Sequence, residues 1–212
     1  MRAVSIDIYE QERLAEPVGV SGIQSLINDP SSVGQAWGPP AAVAQMVAQH
    51  SRFVWCLLRR LGVAVSYLDD ATQQVFIVAA RRMVDIPLGG ERAFLCGTAV
   101  RVASNCRRAA GNYGTRHAEA CLDELQSGMP NSDSLLEQMQ ARRMLDAVLD
   151  TLTEDLRTVF VLAEMEGLTA PETAAIVGVP LGTVSSRLRR AREQFRNEAA
   201  RLREAFLAGE AP

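Results

Sequence analysis

Lysine is absent: all 22 basic residues are arginine. Histidine occurs twice, at His50 and His117, and cysteine four times, at Cys56, Cys96, Cys106 and Cys121. None of the cysteines has C-x-x-C spacing, which excludes the usual zinc-ligand patterns and a disulfide framework. The sequence predicts no metal, no cofactor and no catalytic group, with Cys56 and Cys96 as small buried apolar residues. No run of about 18 uncharged apolar residues exists, so no transmembrane helix is expected. Charges at Arg2, Asp7, Glu10, Glu12, Arg13 and Glu16 fill the place where a secretory leader needs an apolar stretch. The expectation is a cytoplasmic protein.

What is present suffices for real cores. Of 212 residues 48% are hydrophobic, and the length corresponds to roughly one to two domains; this excludes disorder throughout. The net charge of −3 hides an uneven distribution. Residues 1–50 carry a net −3, residues 51–110 a net +5, residues 111–150 a net −4 and residues 151–212 a net −1. Within the last block, Arg187 to Arg203 holds seven arginines against two acids. Two basic regions separated by an acidic one point to nucleic acid more strongly than the sum suggests.

Residues 1–40 are rich in Gly, Pro and Ser without apolar periodicity, and read as a flexible extension. From Ala41 to Leu61 the residues Val43, Met46, Val47, His50, Val54, Leu57 and Leu61 fall on one helical stripe, which Gly62 ends. A second helix is expected from Asp69, as its cap, to Val84, with Thr72, Val75, Phe76, Ala79 and Met83 as its apolar face. A third runs from Glu91 to Arg108. Residues 109–134, with Gly111, Gly114, Gly128, Pro130 and several acids, read as a linker. Helical patterning resumes at Leu135, broken near Thr151–Thr153, Gly167–Thr169 and Gly178–Pro180. No alternating strand pattern persists. The fold class is therefore all-α: two small helical domains, 41–110 and 135–207, joined by a flexible linker at 111–134.

The stretch from Leu168 to Arg196 is the most informative. Thr169 and Glu172 match a capping box, with Pro171 tolerated in the first turn. Gly178 supplies a sharp turn, and Pro180 opens the next helix. In that helix Val184, Leu188, Ala191 and Phe195 project to one side, and Ser186, Arg189, Arg190 and Glu193 to the other. Ala174, Gly178 and Val184 have the spacing of a helix-turn-helix, whose second helix enters the major groove. Arg187 and Arg190 are the base-reading candidates, since a guanidinium donates twice to guanine. Ser185 and Ser186 suit either base type, and Thr183, Arg189 and Arg192 suit phosphates.

The segment Val179–Glu193 (VPLGTVSSRLRRARE), with Leu152–Glu166 before it, resembles region 4 of bacterial sigma-70-family factors of the extracytoplasmic-function (ECF) group. Asp70–Phe76 (DATQQVF) resembles the region 2 helix of that family that docks on the β′ clamp of RNA polymerase. There Asp70, Gln73 and Phe76 match, while Ala71 and Gln74 stand where Leu and Glu are usual. The resemblance implies polymerase contacts at Asp70, Gln73 and Gln74, with Val75 and Phe76 in the core and Arg81 and Arg82 as additions to the interface or solvated residues. The helix from Glu91 resembles the segment that reads the −10 element, which implies Arg101, Ser104, Asn105 and Arg108 as its DNA-binding face. Thr98 stands where many members carry Trp. The loop Asp85–Glu91 is where a flipped −10 base would be captured. The resemblance, over residues 41–206, implies a transcription initiation factor, not an enzyme. Its partners would be core RNA polymerase (β′ clamp and β flap), promoter DNA read at −10 and −35, and an anti-sigma factor. Two rivals differ in class. A stand-alone helix-turn-helix regulator would need neither Asp70–Phe76 nor the Asn105 face, and a serine recombinase would need a mixed α/β catalytic domain.

Overall fold

The computed structural model describes residues 40–87, 89–111 and 132–207. Every regular element among them is helical. The front set comprises α1 (Pro40–Arg60), α2 (Val65–Arg81), a 3₁₀ turn at Met83–Asp85 and α3 (Glu91–Gly111). The rear set comprises α4 (Ser132–Thr151), α5 (Glu154–Phe160) running into a π-helical turn at Val161–Met165, α6 (Ala170–Val177) and α7 (Leu181–Leu207). The residues expected to form the extension and most of the linker, 1–39 and 112–131, lie outside the described residues, as does Cys121. Helix α3 runs to Gly111 and α4 begins at Ser132, so both ends of the expected linker are helical.

The front core follows the apolar stripes. Val54, Leu57 and Leu58 from the end of α1, with Leu61 just beyond it, meet Leu68 and Val75 of α2 and Phe94, Leu95 and Ala99 of α3, all fully or almost fully buried. Each large side chain so buried contributes about 1.5–3 kcal/mol of transfer free energy. Cys96 belongs to this core, and burial pushes its thiol up in pKa; Cys56 is half-buried. Val47, expected on the α1 stripe, is exposed. His50 is half-buried and meets the Phe53 ring edge-on.

Two expectations for α2 are corrected. The helix starts four residues early, at Val65, behind an extended Ala64 that offers no side-chain cap. Asp69 is therefore inside the helix and cannot cap it; its Oδ1 accepts a hydrogen bond from Trp55 Nε1 at 3.1 Å instead. The helix also stops at Arg81, leaving Met83 in the 3₁₀ turn.

In the rear set, Leu149, Leu152, Leu156 and Phe160 join the main core, while Val159, Val184 and Leu188 form a second cluster between α5 and α7. The ring of Phe195 stacks on Phe160. The two sets meet. Apolar residues of both belong to one continuous core, and α6 packs against α3.

Candidate nucleic-acid and polymerase interfaces

The turn between α6 and α7 is built as its residues require. Thr169 Oγ1 accepts from the Glu172 amide at 3.4 Å, and the Thr169 amide donates to Glu172 Oε2 at 2.7 Å, a reciprocal capping box. Gly178 has φ +74°, the left-handed conformation that a residue with a Cβ adopts at a cost, and its amide returns to Ala174 O at 2.9 Å. Val184, Leu188 and Ala191 are buried beneath α7, with Phe195 half-buried beyond them. The opposite face presents Ser185, Ser186, Arg189, Arg190 and Glu193 to solvent. Ser185 Oγ and Ser186 Oγ donate to the Leu181 and Thr183 carbonyls at 3.1 and 2.9 Å, which leaves their lone pairs facing outward. Thr183 is half-buried at the start of the helix.

The arginines of α7 divide into two kinds. Arg187 Nη2 donates to Asp155 Oδ2 at 2.6 Å, and Arg192 Nη2 to Glu164 Oε1 at 2.6 Å. Both side chains are turned back onto α5 and the π turn. Arg189 and Arg190 stay on the solvent face. Of the two base-reading candidates, Arg187 is thus engaged by a carboxylate in this arrangement and Arg190 faces solvent.

On α3 the expected polar face exists but is graded. Asn105 and Arg108 are exposed, Arg101 and Ser104 half-buried. Arg108 donates to Ser104 Oγ at 3.3 Å and to Asn105 Oδ1 at 3.1 Å. Burial, aided by the charge of nearby Arg82, lowers the Arg101 pKa. Arg82 is itself buried, whereas Arg81 is exposed; the sequence treated the two alike. Thr98 is buried, and its Oγ1 donates to Phe94 O at 2.9 Å. It lies in the core and offers nothing to a base. The loop ahead of α3 is tight: Gly89 has φ +79°, and a Cβ on Gly90 would sit 2.7 Å from Pro87 Cγ.

On α2 the division is clean. Asp70, Gln73 and Gln74 are exposed, while Ala71, Val75 and Phe76 are buried. Tyr67 and Val78, three residues before Asp70 and four after Gln74, are also exposed and extend the same face. Sequence reasoning passed over both; helical spacing from Asp70 was the available signal. Among the described residues no group of three His, Cys, Asp or Glu side chains is placed to hold a metal ion, and no helix is long and apolar enough to cross a membrane.

Residues 142–195 match the family described as Sigma-70, region 4. The ECF RNA polymerase sigma-E factor of Escherichia coli K12 is 31% identical over 178 residues, covering 78% of this chain and 90% of that protein. The chain belongs to the ECF RNA polymerase sigma factors. It is a transcription initiation factor that directs RNA polymerase to promoters. A second ECF relative, the sigma factor SigE of Mycolicibacterium smegmatis, is 29% identical over 81% of this chain and 68% of its own. Two solved structures share the fold. The Bartonella quintana sigma factor RpoE, in complex with the anti-sigma factor NepR, has a TM-score of 0.54 at 18% identity, covering 73% of this chain and 94% of that one. CnrH, in complex with the cytosolic domain of CnrY, has a TM-score of 0.52 at 21% identity, covering 90% and 99%.

Proposed function

We propose a bipartite division of labour for this ECF sigma factor. Residues 41–110 bind core RNA polymerase and the −10 element, residues 135–207 read the −35 element as duplex, and 111–134 join them. The observation that carries this reading is the α6–α7 unit. A capped first helix, a left-handed glycine, a buried apolar face and an outward Ser185–Ser186–Arg189–Arg190 face coincide over 27 residues of chain from Thr169 to Phe195. Arg190, with Ser185 and Ser186, reads base edges. Arg189 and Thr183 hold phosphates and set register. Arg187 and Arg192 add to the contact once their carboxylates release them. Arg101, Ser104, Asn105 and Arg108 hold the −10 strand.

Asp70, Gln73 and Gln74 contact the β′ clamp, with Tyr67 and Val78 flanking them, and the rear set contacts the β flap. Two sites of moderate strength on a shared polymerase give a selectivity that neither has alone. The protein acts in the cytoplasm, where the polymerase is, and does no chemistry of its own. An anti-sigma factor restrains it, a partner of the kind bound by the Bartonella relative. Affinity of the full chain for core RNA polymerase, compared between wild type and D70A/Q73A, tests the assignment. A large loss in the double variant supports it. Unchanged affinity, with intact binding to duplex DNA, turns the reading toward a regulator that binds DNA alone.

A further inference from the structure

Four arginines, Arg187, Arg189, Arg190 and Arg192, are spread around α7, and their surroundings differ with their position. At ~100° per residue, Arg187 and Arg192 stand roughly 70° to either side of the buried stripe formed by Val184, Leu188, Ala191 and Phe195. Arg189 and Arg190 lie within roughly 50° of the opposite direction. Each flanking arginine is held by a carboxylate from the element beneath. Arg187 Nη2 donates to Asp155 Oδ2 at 2.6 Å, and Arg192 donates to Glu164 Oε1 through Nε at 3.0 Å and Nη2 at 2.6 Å. Among the described residues neither Arg189 nor Arg190 pairs with a carboxylate.

One continuous segment supplies both acids. Asp155 sits in the first turn of α5 and Glu164 in the π turn, nine residues on. Val159, between them, is buried against Val184 and Leu188, so α5 runs beneath α7 and brings one carboxylate to each flank. Nine residues at ~1.5 Å each span about 13 Å, close to the width of a helix with its side chains, roughly 10–12 Å. Both acids reach solvent, Asp155 with 63% and Glu164 with 35% of its side chain exposed. A phosphate that approaches the flanks of α7 therefore meets these carboxylates as rivals for the same guanidinium groups.

A carboxylate oxygen and a phosphate oxygen offer arginine the same kind of charge-assisted hydrogen bond. An arginine that must leave one for the other exchanges like for like. Its charge is already compensated, so it releases few counterions, whereas a cation without a carboxylate partner contributes the full sequence-independent term. We propose that Asp155 and Glu164 are built-in competitors for DNA phosphates, which occupy the two flanking arginines and cap the sequence-independent grip of the α6–α7 unit on duplex DNA. Recognition is then left to the Ser185–Ser186–Arg189–Arg190 face. This rests on the reading of α7 as the −35 helix. The two acids touch no base; they act through Arg187 and Arg192. A weak general grip keeps the chain from settling on the excess of non-promoter DNA.

The test titrates fluorescent duplexes with the full chain between about 50 and 200 mM salt. One duplex carries the −35 element of a promoter transcribed with this chain, and the other carries the same bases scrambled. Wild type is compared with D155N/E164Q, with R187Q/R192Q and with all four substitutions together. D155N/E164Q is expected to bind both duplexes more tightly by a similar factor, about tenfold in all or about threefold per carboxylate, the scale of an exposed ion pair. Its affinity should also fall more steeply with salt, by up to ~0.9 in logarithmic slope for each arginine released. In the R187Q/R192Q background the same two changes should gain less than about twofold, because the arginines through which they act are gone. An equal gain in both backgrounds overturns the proposal, since the acids then act only as general negative charge. No gain, or a loss, in folded D155N/E164Q overturns it too, because the carboxylates then help the arginines to bind. If circular dichroism shows the double variant to be misfolded, D155N and E164Q singly decide by the same readouts. Should no form tell the matched duplex from the scrambled one, the −35 reading falls, while a tighter, arginine-dependent grip on the scrambled duplex keeps the competition in place.

Discussion

Arg108 holds Asn105 in place: its Nη2 donates to the Asn105 Oδ1 at 3.1 Å, so the amide nitrogen of Asn105 is turned outward as a donor. That donor belongs to the face proposed to hold the −10 strand. Asn105→Ala is therefore expected to slow transcription severalfold from an intact promoter and much less from a template carrying a pre-melted bubble. Equal losses on both templates, measured by run-off product, would assign Asn105 to general binding or folding. Arg108→Ala should show the same asymmetry, since it frees the Asn105 rotamer.

Arg190 and Arg187 should behave differently although they lie three residues apart. Arg190→Ala should cost about 1–3 kcal/mol on a matched −35 duplex and relax preference at one position. Arg189→Ala should weaken all sequences alike and flatten the salt dependence. Arg187→Ala removes a side chain already paired with Asp155, so its loss should be smaller and accompanied by lower stability. Titrations of labelled duplexes with single-base changes separate these outcomes.

Gly178 offers a test of the turn alone. No atom lies within 4 Å of a Cβ placed there, so substitution meets no clash and the cost is purely that of φ +74°. Gly178→Ala should lower stability by about 1–2 kcal/mol, and Gly178→Asn by less, because Asn tolerates the left-handed region. Equal denaturation midpoints for the two variants would contradict a left-handed turn.

The acid limb of stability should depend on Glu154. The hydrogen bond from Arg107, helped by the charges of Arg107 and Arg108 and opposed by partial burial, holds its carboxyl below the ordinary carboxylate range. A depressed folded-state value means the contribution is fully present above the unfolded pKa of about 4.3 and is lost as pH falls through the lower folded value. Wild type should therefore lose more stability than E154Q below about pH 4.3. Urea midpoints followed against pH check this; parallel curves would contradict it.

Much of this was legible in sequence, and the reasons are local. The capping box at Thr169 and Glu172, the glycine turn and the face of α7 depend on neighbours within a few residues, so periodicity and cap chemistry find them. The exposure of Asp70, Gln73 and Gln74 follows from the buried stripe between them. Asp69 has the chemistry of a cap but lies inside the helix, because a distant donor, Trp55, takes its carboxylate. The carboxylate partners of Arg187 and Arg192, Asp155 and Glu164, lie 32 and 28 residues away and leave no local signal either. The π turn that carries Glu166 to the boundary between the two helix sets has no sequence signature comparable to a cap. The contacts of Glu166 with Arg60 and Arg92, 106 and 74 residues distant, become visible only in three dimensions.

The most direct measurement is in vitro transcription with core RNA polymerase on a genomic fragment library, with and without this chain. The account predicts transcripts from a small set of discrete start sites that appear only when the chain is present and vanish with D70A/Q73A. Discrete DNA binding by the chain without any new transcripts, or transcripts indifferent to that double substitution, would contradict it.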